Sequence, residues 1–478
     1  MKINTLASLT AILAASAAAA DSAAASAQSA ASGKMEKVME IKTKQWDAAR
    51  ARGLFGGSAL YRKITSKKTC KKGKAGSGND AYACNNVDLH GFLSHEDLGS
   101  ATKAGNDVWG WTSPGGREFG IVGQTDGVGF VEVMKNGNLE YLGRLDTQTT
   151  PTSWRDIKVI GHHAYIGSEA DGHGLQIFDL NKLLDVKPWW NPVFWTPKTF
   201  SKEKDITLFS GFGASHNIVA HAETNMIYAV GGRSGANARN TTCAGGMFMV
   251  DVSNPEKPVS PGCIAQDGYV HDAQCVIYKG PTDKYLGREI CFNYNEDTLT
   301  IMDVTDKASP AIVSRTPYVG FAYTHQGWLV DDSMTFLLLD DELDEMEGTD
   351  PGSDGHTTTY IFNITNLEAP VNTGHYKSPA KSIDHNQYVV NGLTYQANYG
   401  SGLRIVDVSG VELDPTGGNF AEVGFFDCHP EDDDVNGVVE FLGTWSVYPY
   451  FKSGYILLNS IERGIFSLKY TGRKAKYL

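Results

Sequence analysis

Residues 269–305 read YVHDAQCVIYKGPTDKYLGREICFNYNEDTLTIMDVT and contain one complete structural unit of this chain. The unit begins at the polar pair His271-Asp272, alternates along a first strand and turns at 279–281. After a polar corner at 295–297 it ends in the strand LTIMDV. Alternation with period two, interrupted by turn residues, is typical of short antiparallel strands. The stretch therefore predicts one antiparallel β-meander.

The last strand of this unit recurs along the chain. Its copies are GVGFVEV ending at Val133, HGLQIFDL at Leu180, GGMFMVDV at Val252, DTLTIMDV at Val304, TTTYIFNI at Ile364, SGLRIVDV at Val408 and RGIFSLKY at Tyr470. Seven units between Asn106 and Tyr470 correspond to about 52 residues each, the length of a propeller blade with its loops. The sequence predicts an all-β, seven-bladed β-propeller of antiparallel meanders with a short N-terminal extension.

Composition agrees with one large β domain and excludes some partners. Lys and Arg number 42 against 55 Asp and Glu, which gives a net charge of −13. Nucleic acids and anionic membrane surfaces attract an excess of cations, so neither is expected as a partner. The 52 glycines supply the tight turns that a fold of short strands needs.

The N-terminal segment predicts export. Residues 1–20 combine Lys2, an apolar run and the small residues Ala18-Ala19-Ala20, which is the pattern of a cleaved signal peptide. The run is too short and alanine-rich for a membrane span. We expect a secreted, extracellular monomer without a membrane span.

The rest of the chain divides by composition. An Ala/Ser-rich leader with a short helix occupies 21–52, a segment with a basic disulfide loop occupies 53–105, and the propeller occupies 106–478. The last blade ends at Tyr470 with only three strands. We expect the segment around Leu60-Tyr61-Arg62 to supply its fourth, closing strand.

The cysteines suit an oxidising compartment. Two pairs flank hairpin turns at similar distances, and a third would close a lysine-rich loop. We predict the disulfides Cys70–Cys84, Cys243–Cys263 and Cys275–Cys291, although six cysteines allow other pairings. The seventh, Cys428, is interpreted as buried. The sequons at Asn240 and Asn363 are glycosylation candidates.

Several motifs together carry a family resemblance. They are CNNVDL (84–89), NDVWGW (106–111), WRDIKV (154–159), HDAQC (271–275), EICFN (289–293), YTHQG (323–327) and WSVYPY (445–450). Over about residues 80–470 the chain resembles the choice-of-anchor B proteins, which are exported and carry LVIVD-type repeats. The resemblance implies a propeller outside the cytoplasm and no settled chemistry. Some members of that family have C-terminal anchors; the polar end RKAKYL resembles none, which favours release.

One histidine precedes or begins the first strand in each of four successive units: His216, His271, His325 and His385. The first strand of a blade lies nearest the propeller axis, so these side chains would meet at one end of the channel. The corners after the second strands add Glu169, Asn293, Asp340 and Asn398, and blade two adds Arg155 and Asp156. Converging imidazoles and carboxylates are typical ligands of Fe, Zn, Cu or Mn.

The alternative is architectural. A histidine at this position can hydrogen-bond the neighbouring blade and lock the ring together without any metal. The other histidines that we considered, in turns or outer strands, are interpreted as surface residues: His162, His163, His173, His221, His356, His375 and His429. The acidic runs 340–345 and 431–434 could hold calcium, but are interpreted as solvated loops.

Two functions follow. The first is a non-enzymatic extracellular binding or adhesion module for an unknown protein or glycan. The second is a metal-dependent extracellular enzyme in which the four histidines hold one transition metal and Asp156 or Glu169 orients them or acts as the base. The common nucleophile, nucleotide and zinc-protease motifs are absent from the sequence.

Overall fold

The computed structural model describes residues 34–78, 81–187, 195–232, 243 and 245–477. Its strands form seven sheets, each built on an antiparallel meander, and the sheets follow one another round a ring. The predicted all-β class and the seven-bladed propeller are confirmed.

The chain enters the ring through a helix and three strands. These elements are α1 (34–51), β1 (Lys74–Ala75), β2 (Tyr82–Asn85) and β3 (Val87–Ser94).

The first three blades extend from residue 105 to residue 264. Blade 1 consists of β4 (Gly105–Thr112), β5 (Glu118–Gln124), β6 (Gly127–Val133) and β7 (Leu139–Asp146). Blade 2 consists of β8 (Arg155–Ile160), β9 (His163–Ser168), β10 (Leu175–Asp179) and, after α2 (Lys182–Val186) and β11 (Lys198–Phe200), β12 (Ile206–Phe209). β11 pairs in parallel with β7. Blade 3 consists of β13 (Asn217–His221), β14 (Met226–Val230), β15 (Met247–Asp251) and β16 (Val259–Ile264).

The last four blades complete the ring. Blade 4 consists of β17 (Asp272–Ile277), β18 (Glu289–Tyr294), β19 (Leu299–Asp303) and β20 (Ala311–Thr316). Blade 5 consists of β21 (Thr324–Leu329), β22 (Phe336–Asp341), β23 (His356–Asn363) and β24 (Val371–Lys381), with α3 (Asp344–Glu347) after β22. Blade 6 consists of β25 (Asn386–Val390), β26 (Leu393–Asn398), β27 (Gly402–Asp407) and β28 (Ala421–Phe426). Blade 7 contains β29 (Thr444–Tyr448), β30 (Tyr455–Ser460) and β31 (Gly464–Tyr470).

The hydrophobic core lies between adjacent blades. Every residue of β18 and of β22 is buried, because each inner strand is covered on both faces by neighbouring sheets. Phe292 and Tyr294 of blade 4 pack in one cluster with Leu337 and Leu339 of blade 5. Outer strands such as β16 are largely exposed. The seven blades therefore fix one another's positions, and with them the residues at the axis.

The closing strand lies later in the chain than the sequence analysis placed it. Leu60-Tyr61-Arg62 forms a turn, and β3 pairs antiparallel with β31 as the fourth strand of blade 7. All eight residues of β3 are buried, whereas Leu60 is 51% exposed. The edge of β3 that faces away from β31 is covered by residues 64–68, through the Ile64–Phe92 and Lys68–Leu89 bridges, so Val87–Ser94 is buried as the closing strand. Separately, β2 pairs with β28, which extends blade 6.

The three disulfides join the pairs proposed from the sequence: Cys70–Cys84, Cys243–Cys263 and Cys275–Cys291. Cys275 and Cys291 are directly opposite each other on β17 and β18. Cys428 is buried.

Of the glycosylation and signal-peptide predictions, the one at Asn363 falls on residues that the structure describes. The sequon residue Asn363 ends β23 and is partly exposed, and its side chain accepts a hydrogen bond from the Thr365 N–H (3.0 Å). Asn240 and residues 1–20 lie outside the described residues. Among the helices of the described ranges, none has the length and apolar character needed to cross a membrane.

Candidate metal centre at the propeller axis

Six blades place an aromatic side chain at the inner end of their first strand, and together these rings surround the axis. This axial ring consists of Trp154, His216, His271, His325, His385 and Trp445. Neighbouring ring centroids lie 4.0 to 6.3 Å apart all the way round. The four histidines are consecutive in it, with centroids 4.0 to 4.4 Å apart. The structure thus brings all four predicted histidines together.

Three of the four imidazoles are oriented through Nδ1. His216 Nδ1 lies 2.7 Å from Glu169 Oε1, His271 Nδ1 lies 2.8 Å from the His325 carbonyl oxygen, and His385 Nδ1 lies 2.5 Å from the Trp445 carbonyl oxygen. Because each acceptor is an oxygen, Nδ1 carries a proton, and in a neutral imidazole of this kind Nε2 keeps its lone pair. Metal-binding histidines are oriented in this way by their second nitrogen.

These contacts give two of the histidines the architectural role that the alternative predicts. The bonds from His271 and His385 cross from one blade to the next, so the two histidines do lock the ring. They use only Nδ1 for this purpose. The architectural role therefore leaves Nε2 available for a ligand.

Glu342 is the carboxylate that faces the Nε2 atoms of His325 and His385. Its Oε1 lies 3.7 Å from His325 Nε2 and 3.6 Å from His385 Nε2. Two ligands each about 2.1 Å from one ion lie about 3.4 Å apart in a tetrahedral site, so these spacings are those of a shared metal. Within the described part of the chain, neither Glu342 Oε2 nor His325 Nδ1 has a hydrogen-bond partner.

The histidines are buried deeply enough to stay neutral. Burial holds the pKa of His271, His325 and His385 well below the ordinary value, and the nearby Lys42 ammonium lowers each pKa further. A neutral imidazole is the form that binds a metal. The environment thus keeps three ligand lone pairs available at physiological pH.

Helix α1 covers the mouth of the channel above the axial ring. A stripe of residues on α1 is buried: Met35, Val38, Lys42, Trp46 and Ala49. The Trp46 indole N–H donates to the Phe441 carbonyl (2.7 Å), and its ring packs on Trp154 and Trp445 with centroids 5.4 and 6.2 Å away. The sequence analysis missed this docking because the central position of the stripe is a lysine.

That lysine enters the candidate metal centre. Lys42 is 1% exposed, and its Nζ lies 2.7 Å from Glu342 Oε1. Tyr399 donates its hydroxyl to the same oxygen at 2.5 Å. Four aromatic rings surround the ammonium, with centroids 4.9 to 5.9 Å from Nζ: Trp154, Tyr399, Phe441 and Trp445. The cation next to the histidines is therefore supplied by the chain's own N-terminal helix.

A small cavity of about 10 Å³ lies below the histidines. That volume is enough for about one water molecule or one ion. It is lined by the four histidines and by Asp156, Lys158, Asn217, Asp272, Asn386, Tyr388 and Trp445. A layer of aromatic rings around Tyr388 closes the channel on the far side, including Trp109, Trp328 and Tyr450. The centre is thus enclosed at both ends.

The two predicted catalytic carboxylates lie at different levels of the channel. Glu169 holds His216. Asp156 reaches the cavity from below, where it binds Lys158 Nζ (2.7 Å) and accepts a hydrogen bond from the Ile218 N–H (2.6 Å) of the next blade. Burial opposes the charge of Asp156, but Lys158 and these hydrogen bonds prevail and its pKa is lowered. Asp156 is therefore a latch between blades as well as a wall of the cavity.

Three predicted corner residues do not join the centre. Asn293, Asp340 and Asn398 each contact a neighbouring blade, as Asp340 does by accepting a hydrogen bond from Gln387 (2.7 Å). In blade 5 the residue that directly follows the second strand is Glu342, which lies two positions after the predicted Asp340. A shift of two residues along a strand end decides which carboxylate reaches the axis.

The expectation that the remaining histidines are surface residues is wrong for three of them. His173, His221 and His429 are 0%, 4% and 1% exposed. His221 Nδ1 lies 2.7 Å from Glu289, and His429 Nδ1 lies 2.6 Å from Glu462. Paired carboxylates allow the rings of His221 and His429 to be buried, and His173 is instead held by Arg155 and the Gly174 carbonyl.

Comparison with known proteins gives no assignment. No protein-family model matches this chain, and no significant match to a curated protein was found.

Proposed function

We propose that this chain is an exported β-propeller that binds one transition-metal ion at the axis and acts as a metal-dependent extracellular enzyme. His325, His385 and Glu342 form the core of the centre, with His271 and His216 beside them. The observation that carries the proposal is the approach of both Nε2 atoms to Glu342 Oε1, at 3.7 and 3.6 Å.

The donor set defines the class of metal. Two imidazoles and one carboxylate suit Fe, Zn or Mn, and additional imidazoles also suit Cu. Glu169 is the positioning residue of His216, through a 2.7 Å contact to Nδ1. Asp272 lines the cavity beside the histidines, and burial raises its pKa to about 7. A carboxyl group that titrates near neutral pH suits proton transfer at this centre.

Lys42 controls entry to the centre in this proposal. An ammonium 2.7 Å from Glu342 competes with a metal cation for the same carboxylate. Because the centre is covered by α1, a substrate reaches it only after α1 leaves the mouth. The active form therefore has α1 displaced or removed.

The second candidate function is the extracellular binding or adhesion module for a protein or glycan. It is supported by the enclosure of the channel, because a buried centre without an open position is typical of structural metal sites. In that case the propeller presents its loop surfaces, and the histidines stabilise the ring.

Export is supported by independent features of the chain. Three disulfides are typical of oxidising compartments. The signal-peptide pattern in 1–20 and the resemblance to choice-of-anchor B proteins point to the same location.

The test is the metal content of the purified full chain, measured by elemental analysis, for the unsubstituted protein and for His325→Gln with His385→Gln. We expect near-stoichiometric metal after loading with Zn²⁺ or Fe²⁺ and its loss in the double variant. His375→Gln is the matched control, because His375 is exposed and lies on the outer strand β24.

Three outcomes would contradict the proposal or a part of it. Metal-free protein whose melting temperature is unchanged by loading leaves only the binding module. Equal metal content in the double variant and the control places the metal elsewhere. Loaded protein with α1 removed that stays inactive towards extracellular substrates would keep the metal centre and exclude the enzyme.

A further inference from the structure

A second group of carboxylates lies buried beside the axial centre, in the acidic run that the sequence analysis interpreted as a solvated loop. This carboxylate cluster consists of Asp344 and Glu345 on α3 and Asp384, two residues before β25. One ligand oxygen of each lies within 4.8 Å of the others. The three residues are 0%, 5% and 0% exposed. The run is therefore folded into the protein.

Asp344 and Glu345 are each anchored by one oxygen. Asp344 Oδ2 accepts a hydrogen bond from the Tyr360 hydroxyl (2.8 Å), and Glu345 Oε1 accepts one from the Thr358 N–H (2.9 Å). No N–H or O–H donor of the described residues reaches Asp344 Oδ1 or Glu345 Oε2. The two carboxyl groups lie within hydrogen-bond reach of each other, so they can share a proton or a cation.

Asp384 provides an independent indication of a ligand, from a different part of the chain. It is fully buried, and neither of its oxygens has a hydrogen-bond partner within the described ranges. A buried carboxylate normally accepts several hydrogen bonds or pairs with a cation. Asp384 therefore completes a set of four oxygens that no N–H or O–H donor of the described residues reaches, supplied by three side chains.

The cluster also lacks a basic partner. In the described part of the chain, no Lys, Arg or His forms an ion pair with Asp344, Glu345 or Asp384. Burial raises the pKa of all three residues well above the ordinary values, and neighbouring carboxylates, Asp341 among them, raise each pKa further. Three adjacent buried carboxylates without a counter-charge are costly unless protons or a cation neutralise them.

We propose that the carboxylate cluster is a calcium site. Its three candidate ligands are all carboxylates, which favour a hard cation over the transition metals that imidazole attracts. Ca²⁺ binds oxygens at about 2.3 to 2.6 Å, so two of its ligands lie up to about 5 Å apart. Mg²⁺ has shorter bonds of about 2.1 Å and usually retains several waters, which suits an enclosed protein site less well.

The position of the site gives the ion a structural role. Asp384 immediately precedes His385, and Asp344 follows Glu342 by two residues. A bound cation would tie the end of the β22 corner to the start of β25. It would thereby hold Glu342 and His385 in place, whether or not the axial centre binds a transition metal.

The experiment is a Ca²⁺ titration of the full chain after treatment with a chelator, followed by calorimetry and thermal melting. We expect one Ca²⁺ per chain and a melting temperature raised by about 3 °C or more at saturation. Asp384→Asn should abolish this response. In calcium-free buffer the same variant should melt above the unsubstituted protein, because the amide is neutral without binding a proton or a cation.

Two control variants isolate the site. Asp434→Asn changes an exposed acid in the other acidic run and should keep the full Ca²⁺ response. His325→Gln with His385→Gln should also keep it, which separates this site from the axial centre. The proposal would be overturned if calorimetry showed no heat of binding and the melting temperature did not change up to about 10 mM Ca²⁺. An Asp384→Asn variant that responds like the unsubstituted chain would overturn it as well.

A measurement on the unsubstituted chain covers the case in which the variant does not fold. Tyr360 donates a hydrogen bond directly to Asp344, so it can transfer excitation energy to a Tb³⁺ ion bound in place of Ca²⁺. Sensitised Tb³⁺ emission that Ca²⁺ displaces supports the site. Emission that Ca²⁺ does not displace, or no emission, refutes it.

Discussion

Replacing Lys42 by methionine removes the ammonium that pairs with Glu342 beside the axial histidines and keeps a side chain of similar length. Lys42 and Glu342 are each 1% exposed at the side chain, and their charged atoms are 2.7 Å apart. Removing one partner of such a buried pair costs about 3 to 5 kcal/mol, because the other charge is left uncompensated. We therefore expect the free energy of unfolding of the metal-free Lys42→Met variant to be about 3 to 5 kcal/mol lower than that of the unsubstituted chain.

The same charge balance predicts tighter metal binding. In the variant, a divalent metal at Glu342 recovers the lost compensation, whereas in the unsubstituted chain it must compete with the ammonium. An energy of about 3 to 4 kcal/mol corresponds to an affinity gain of about 100- to 1000-fold. Zn²⁺ titration in competition with a chromophoric chelator measures this gain. Thermal melts with and without Zn²⁺ show whether metal restores the lost stability.

Two lysine variants test the charge itself. Lys44→Met on the same helix should change neither quantity, because the Lys44 side chain is 72% exposed and pairs only with Glu40 on the surface. Lys42→Arg keeps the charge and should not gain affinity. If Lys42→Met binds Zn²⁺ no more tightly than the unsubstituted chain, Glu342 is not part of a metal centre and the reasoning is refuted.

Three further predictions concern the fold and its titration. Burial raises the pKa of Glu296 to about 8, although the nearby Lys34 opposes this shift. The contribution of Glu296 to stability is therefore present below the pKa of the unfolded chain and is lost as pH rises through 8. The stability of Glu296→Gln relative to the unsubstituted chain should grow by about 1.4 kcal/mol per pH unit from pH 5 to 8; parallel urea-unfolding curves would contradict this. Changing both Cys275 and Cys291 to serine opens a loop with a sequence separation of 16 and should cost about 3 kcal/mol, and an unchanged melt would show that the bridge does not stabilise the fold. Leu89→Ala in β3 should cost about 2 to 5 kcal/mol and Leu60→Ala under about 0.5, measured by urea unfolding, and equal costs would refute β3 as the closing strand.

The sequence by itself determined the architecture, because a repeated unit carries its own period. The seven copies of the third strand and the alternation around His271 are local patterns, and a blade is built from local hairpins. The histidine positions are also local, since each occupies the same place in its unit. Once the blades form a ring, equivalent positions must meet at the axis, so the convergence of His216, His271, His325 and His385 followed from the repeat alone.

Only the tertiary structure decided which residues join those histidines. Lys42 reaches them from a helix 300 residues before Glu342 in the sequence, and its place in an otherwise apolar stripe gave no indication of burial. Glu342 was hidden in an acidic run in which each residue looked equally suited to solvent. The closing strand depended on which segment could be buried on both faces against β31. Contacts between parts of the chain that are distant in sequence set all three, and no local pattern reports the packing of one element against another.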